Sequence, residues 1–199
     1  MHGLINKTLQ HFLLDTYGPA AWAAIARNAK TDIQNFEAML SYPAQVTSDV
    51  LNAAVDYLSK PKDSLLEDLG TYLVSHPNCG VPRRLLRFSG VDFLDFLNAF
   101  DDLPDRARLA VPDLILPQLE VEEKSLGLYE LHCVHDFASD AAHVLLGLLR
   151  AMADDYGALV LMDVQDQTEG HSLVSVQLIE AAYASGNNFE LGVIERRAT

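Results

Sequence analysis

The apolar residues of this chain change their period partway along, and that change limits the fold more than any other feature. In the first half they recur at helical spacing, as in Ile5, Leu9, Phe12 and Leu13. In the second half Leu119 and Val121 alternate with Glu120 and Glu122, and the run from Leu128 to His135 alternates polar with apolar. A period of about 3.6 marks one face of a helix, and a period of about 2 marks a strand with one buried face. Helices first, then an antiparallel sheet with a packed helix, predict an α+β fold.

Local signals place the elements. Gly18 suits a left-handed helix cap and Pro19 can open the next helix, which carries Trp22 and Ile25. Thr47, Ser48 and Asp49 are candidate caps of a helix through Leu58 that Pro61 stops, and Asp63 or Ser64 starts the next, to about Val74. The prolines and glycine of 75–82 are expected to form a loop, followed by short helices over 83–88 and 91–99. Beyond these the pattern predicts a hairpin turning at 123–127 and a helix from Ser139 or Asp140 through Tyr156, ended by Gly157. Strands are expected over 158–164 and 172–179, joined at Thr168, Glu169 and Gly170.

Composition narrows the partners. With 199 residues and 49% apolar content the chain can bury a sizeable core. Its 28 acidic against 14 basic side chains give a net charge of −14, a field that repels nucleic-acid phosphates and anionic headgroups. The longest apolar runs, such as Val144 to Leu149, fall short of the roughly 20 residues a bilayer span requires. Polar residues (Asn6, Lys7, Gln10, Asp15) interrupt the N-terminal region before a secretory-type core forms, which predicts a cytoplasmic protein. Two cysteines, Cys79 and Cys133, are too few for a disulfide framework.

Several blocks, in order, resemble the H-NOX family, the haem domains that sense nitric oxide or oxygen. They are Met1-His2-Gly3-Leu4-Ile5-Asn6-Lys7 with Tyr17-Gly18 and Trp22, the helix string Leu65 to Leu73, and the string Arg84 to Leu97. The resemblance implies one H-NOX-like domain over 1–199, with a helical distal subdomain at about 1–62 and an α+β proximal subdomain at 63–199. It also implies that Ile5, Val144 and Leu148 line a distal pocket and that Pro117 packs near the porphyrin. The family usually regulates a kinase or a cyclic-nucleotide enzyme, so a signalling protein acting in trans is the expected partner, and no catalytic role is expected.

Two family signatures are absent. Pro104 falls where the iron-binding histidine belongs, and a proline side chain has no lone pair to offer iron. The family's Tyr-x-Ser-x-Arg propionate clasp has no counterpart between His132 and Ser139, where Asp136 would repel a propionate. Pro104 is also expected to begin its helix rather than sit within it. Haem held in a non-standard way, another small apolar ligand, and a haem-free interaction module with a filled pocket all remain open. In the last case Phe93, Phe96, Phe100 and Leu103 are the residues large enough to fill it.

Other constellations are weaker. His143 is the candidate substitute ligand or pocket base, set against a histidine at the core edge with one ring nitrogen hydrogen-bonded. Cys133 and His135 share one side of a strand and make half a soft metal site, which only Cys79, His76, His143 or His171 can complete. The expectation is a buried cysteine and a solvated histidine, with no metal. Arg83, Arg84, Arg87, Arg106 and Arg108 are expected to pair at the surface with Asp92, Asp95, Asp101, Asp102 and Asp105. Asp101-Asp102, Glu122-Glu123 and Asp154-Asp155 are expected to be exposed, and Ser75-His76 and His171-Ser172 lack the surroundings of a nucleophile.

Overall fold

Gly18 and Pro19 set the shape of the first element. The computed structural model describes residues 1–31, 33–87, 90–135, 138–168 and 170–186. In it α1 spans Gly3–Asn28 and breaks at Gly18, whose φ of 86° and ψ of 168° are open to glycine but strained for other residues. No neighbour lies within 4 Å of where a Cβ would stand, so the demand is on the backbone and not on space. The expected left-handed cap is thereby corrected: φ is positive but ψ is extended. Pro19 then opens the second segment, where its missing N–H costs nothing.

Prolines punctuate the helices that follow, though not always where expected. Pro43 is the N-cap of α2 (Ala44–Leu58), which therefore starts before Thr47 and ends at Ser59 in the left-handed conformation (φ 51°). Pro61 is the N-cap of α3 (Lys62–Ser75). The stretch 75–82 is not a loop: Pro77–Cys79 forms a 3-10 turn and α4 covers Gly80–Arg87. Pro77 and Pro82 stand in first turns, where no helical N–H is needed. In α5 (Phe93–Asn98) the Asp92 carboxylate accepts from the Asp95 N–H at 2.8 Å as N-cap. α6 (Leu103–Ala110) carries Pro104 in its first turn, as expected.

The alternating half forms one antiparallel sheet. β1 (Gln118–Ser125), β2 (Leu128–Val134), β3 (Leu159–Thr168) and β4 (His171–Glu180) lie in the order β1-β2-β4-β3, with α7 (Ala138–Tyr156) between β2 and β3 in sequence. The first turn is tighter than expected, because Ser125 already pairs with Leu128. Register shifts place an extra residue in β1 at Glu123/Ser125 and in β3 at Asp166/Thr168, and one in β4 opposite Leu159/Val160, where Glu180 and Leu178 are the successive partners. Tyr129, Leu131, Cys133, Val174 and Val176 are buried, while Glu130 and His132 alternate with them on the outer face.

Two apolar cores result. One gathers Phe12, Leu13, Trp22, Ile25, Leu65 and Leu66; the other gathers Phe93, Phe96, Phe100, Leu131, Leu149 and Met152 with the inner face of the sheet. α3 and α7 join them. A Cβ on Gly147 would stand 1.9 Å from the Glu67 carbonyl oxygen, and one on Gly70 would stand 2.0 Å from the Val144 carbonyl oxygen, so the helices cross backbone to backbone. Tyr72 on α3 donates its hydroxyl to Asp15 Oδ2 at 2.6 Å and pins α1 to the same helix. Among the described residues, no helix is long and apolar enough to cross a membrane.

Gly147→Ala is expected to lower Tm by several degrees, since the added methyl must push two backbones apart at about 1–3 kcal/mol or more. Gly80→Ala, with nothing within 4 Å of its Cβ position, should be neutral or slightly stabilising; thermal denaturation of the pair separates crowding from helix propensity. Hydrogen bonds from Tyr72 and then Asn78 hold the Asp15 carboxyl below the usual range. A depressed carboxyl contributes stability above its unfolded pKa and loses it as pH falls through the folded value. Asp15→Asn should therefore lower Tm at neutral pH and lose its effect in strongly acid solution.

Candidate functional site

The pocket residues implied by the resemblance come from three places, and each is set by local chemistry. Ile5 lies in the first turns of α1, where His2 caps the helix by accepting the Leu4 N–H on Nδ1 at 3.2 Å; Ile5 itself is half-buried. Beside it Asn6 is 1% exposed, and its Oδ1 accepts from Thr47 Oγ1 at 2.6 Å, which ties α1 to α2. Val144 and Leu148 lie one turn apart on α7 but serve different cores: Val144 packs on the N-terminal one and Leu148 belongs to the C-terminal one. Pro117 is buried immediately before β1.

His143 stands at the flank of the helix crossing. Its Nε2 is 3.6 Å from Asp63 Oδ1 and its Nδ1 is 3.6 Å from Glu67 Oε1, both on α3. Glu67 also accepts from Arg150 at 2.5 Å. The imidazole thus faces two carboxylates of the neighbouring helix.

Around Pro104 the structure is apolar. Pro104 is buried, and Leu103 beside it joins Phe93, Phe96 and Phe100, each 0% exposed. Phe96 packs edge-on to Phe100 at 5.2 Å and lies 5.9 Å from both Phe93 and Tyr156. These rings share one core with Leu146, Leu148, Leu149 and Met152. Among the described residues no histidine is fully buried. The side chains at this position therefore do not fit axial haem ligation in the family's manner: proline offers no donor atom, and no described histidine enters the core beside it.

Of the stretch aligned with the propionate clasp, Asp136 and Phe137 lie outside the described residues. His132 sits on the outer face of the sheet. Cys133 points inward, where burial pushes its thiol up to about 11. The His135 N–H donates to the Gly170 carbonyl at 3.0 Å.

The arginines depart from expectation. Asp155, expected at the surface, is 6% exposed and receives the Arg83 fork at 2.9, 3.1 and 3.2 Å. Arg87 donates to the Asp155 carbonyl oxygen at 3.3 Å, and its guanidinium stands 4.3 Å from the centre of the Tyr156 ring. The Arg108 and Asp105 pair, at 2.7 Å, does follow the expected partners. The missed signal was helical phase, since Asp155 falls one turn after the buried Met152. Arg106 and Arg108, with Asp102, Asp105 and the 86% exposed Leu109, line a surface groove of about 350 Å³ on α6.

Comparison with known proteins agrees with this architecture. The chain is 24% identical over 132 residues to soluble guanylate cyclase gcy-31 of Caenorhabditis elegans and 23% identical over 122 residues to soluble guanylate cyclase 89Db of Drosophila melanogaster. These stretches are 66% and 61% of this chain but 19% and 18% of the cyclases, so the chain spans about a fifth of those relatives. Among solved structures, the Fe(II) unliganded H-NOX protein from K. algicida superposes with a TM-score of 0.77 at 17% identity, covering 93% of this chain and 100% of that one. An H-NOX protein from S. oneidensis in the Fe(II)NO ligation state gives 0.71 at 15% identity, with 89% and 99% covered. The sequence model of the family described as haem-NO-binding matches residues 2–164, and the chain belongs to that family.

Proposed function

We propose that this chain is a regulatory module of the H-NOX fold that acts in trans on a signalling partner and does not hold haem through the family's proximal contact. The observation that carries the reading is the environment of Pro104, buried in the first turn of α6 beside Leu103 and a core of fully buried phenylalanines. Burying each such ring stabilises the fold by about 1.5–3 kcal/mol, so emptying this space for a macrocycle has a large cost. The pocket of the family is on this reading given over to side chains or to a small apolar ligand. The partner on this reading is a kinase or a cyclic-nucleotide enzyme, the second supported by the guanylate cyclase relatives, with no catalysis by this chain. The α6 groove, with its mixed charges and exposed Leu109, is the surface on which the partner reads a shift of Asp102 to Arg108.

A second reading keeps haem through a substitute ligand. His143 favours it, because Nδ1 is enclosed and without a hydrogen bond among the described residues. One experiment separates the two. Haemin titration of the purified chain, followed by reduction and NO, is expected to give weak, non-saturating uptake. A stoichiometric Soret band that shifts with NO would overturn the haem-independent reading, and its loss in His143→Ala would establish the substitute ligand.

α6 has no side-chain N-cap bond at Asp102 and its last turn, 108–110, is exposed, so hydrogen exchange is expected to be faster over 103–110 than over 142–153 of α7. Equal protection of the two helices would remove α6 as the moving element.

A further inference from the structure

The outer face of the sheet carries a cluster that the regulatory reading leaves unused. Strand alternation turns Glu130 and His132 of β2 outward, and the register sets Glu122 of β1 opposite Glu130. One ligand atom from each of Glu122, Glu130 and His132 lies within 4.8 Å of the others. His132 Nε2 is 3.8 Å from Glu122 Oε2 and 3.7 Å from Glu130 Oε2. Two ligands each about 2.1 Å from a tetrahedral zinc ion stand roughly 3.4 Å apart, so small side-chain movements reach that geometry.

The orientation of His132 is the more telling feature. Its Nε2 is enclosed and makes no hydrogen bond to any described residue. Its Nδ1 is 3.1 Å from His171 Nε2, with the two rings stacked at 5.3 Å and 25°. A neutral His132 that donates from Nδ1 to His171 carries its lone pair on Nε2, the atom facing both carboxylates. An outer partner that fixes the tautomer in this way is the usual companion of a metal-binding histidine.

Lys124 now stands where a cation belongs. Its Nζ is 2.6 Å from Glu122 Oε2 and 3.2 Å from Glu130 Oε2. The lysine side chain is 37% exposed on a flexible stem and can swing into solvent.

We propose that Glu122, Glu130 and His132 form a site for one divalent transition-metal ion of the zinc class, with water as the remaining ligand, His171 as outer partner and Lys124 as the displaceable cation. One imidazole and two carboxylates suit zinc-class ions, whereas calcium and magnesium require more oxygen ligands. The bound ion clips β1 to β2. Cys133 points to the other face and takes no part.

The test uses the full chain stripped with EDTA and titrated with Zn²⁺ by calorimetry and with Co²⁺ by visible absorption. The expected result is saturable binding of one equivalent, with Co²⁺ bands of tetrahedral intensity. Glu130→Gln and His132→Gln should each weaken binding at least ~10-fold, and His171→Phe by a similar order. Lys124→Met should tighten it by removing the competitor. All four side chains lie outside both cores, so unchanged thermal denaturation without metal is the control for folding. Non-saturating uptake, or uptake identical in the wild type and His132→Gln, means diffuse binding to an acidic surface and overturns the site.

Discussion

α3 and α7 cross with their backbones in contact, because Gly70 and Gly147 leave no Cβ between them. At that distance the Thr71 hydroxyl reaches the Gly147 carbonyl at 3.3 Å, and the flanks are closed by Lys62 with Asp140 and Arg150 with Glu67. Everything else is arranged around this joint. α3 supplies Leu65 and Leu66 to the first core, and α7 supplies Leu146, Leu149 and Met152 to the second. Glycine within a helix lowers its intrinsic stability by about 0.5–1 kcal/mol relative to alanine. Two such residues at one crossing, Gly70 against Val144 and Gly147 against Glu67, make sense only if the contact they permit returns more than that.

The period change near the middle of the chain was sufficient to separate helices from sheet, since alternation over Leu128 to His135 is a direct consequence of one buried face. Boundaries were less legible where proline was involved. Pro77 and Pro82 read as breaks in the sequence, yet each sits at or inside a helix start, where its fixed φ suits the helix. Asp155 was missed for a different reason. A carboxylate on the apolar stripe of α7 is tolerable only with the Arg83 fork in place, and that pairing joins residues far apart in sequence. The Glu122, Glu130 and His132 cluster was half legible. Each residue was correctly turned outward by alternation, but their meeting depends on the β1 to β2 register, which the turn fixed one step tighter than its residues suggested.

Pro104 lies among packing residues within a family fold. Proline in the first turn of α6 needs no compensation from the backbone, and Leu103 and Phe100 beside it are ordinary core residues. The chain has the fold of the solved H-NOX structures, and on the proposed reading the start of α6 serves packing and not coordination.

Each of the two outer strands of the sheet, β1 and β3, carries an extra residue in its register. A regular outer strand is an open template, because its unpaired amides and carbonyls accept any extended segment that arrives. Irregular steps at Glu123/Ser125 and Asp166/Thr168 disturb that repeat, and the run of glutamates on β1 adds charge along it. The fold is in this way guarded against lengthening its sheet with a stray strand, and recognition is left to helices and faces.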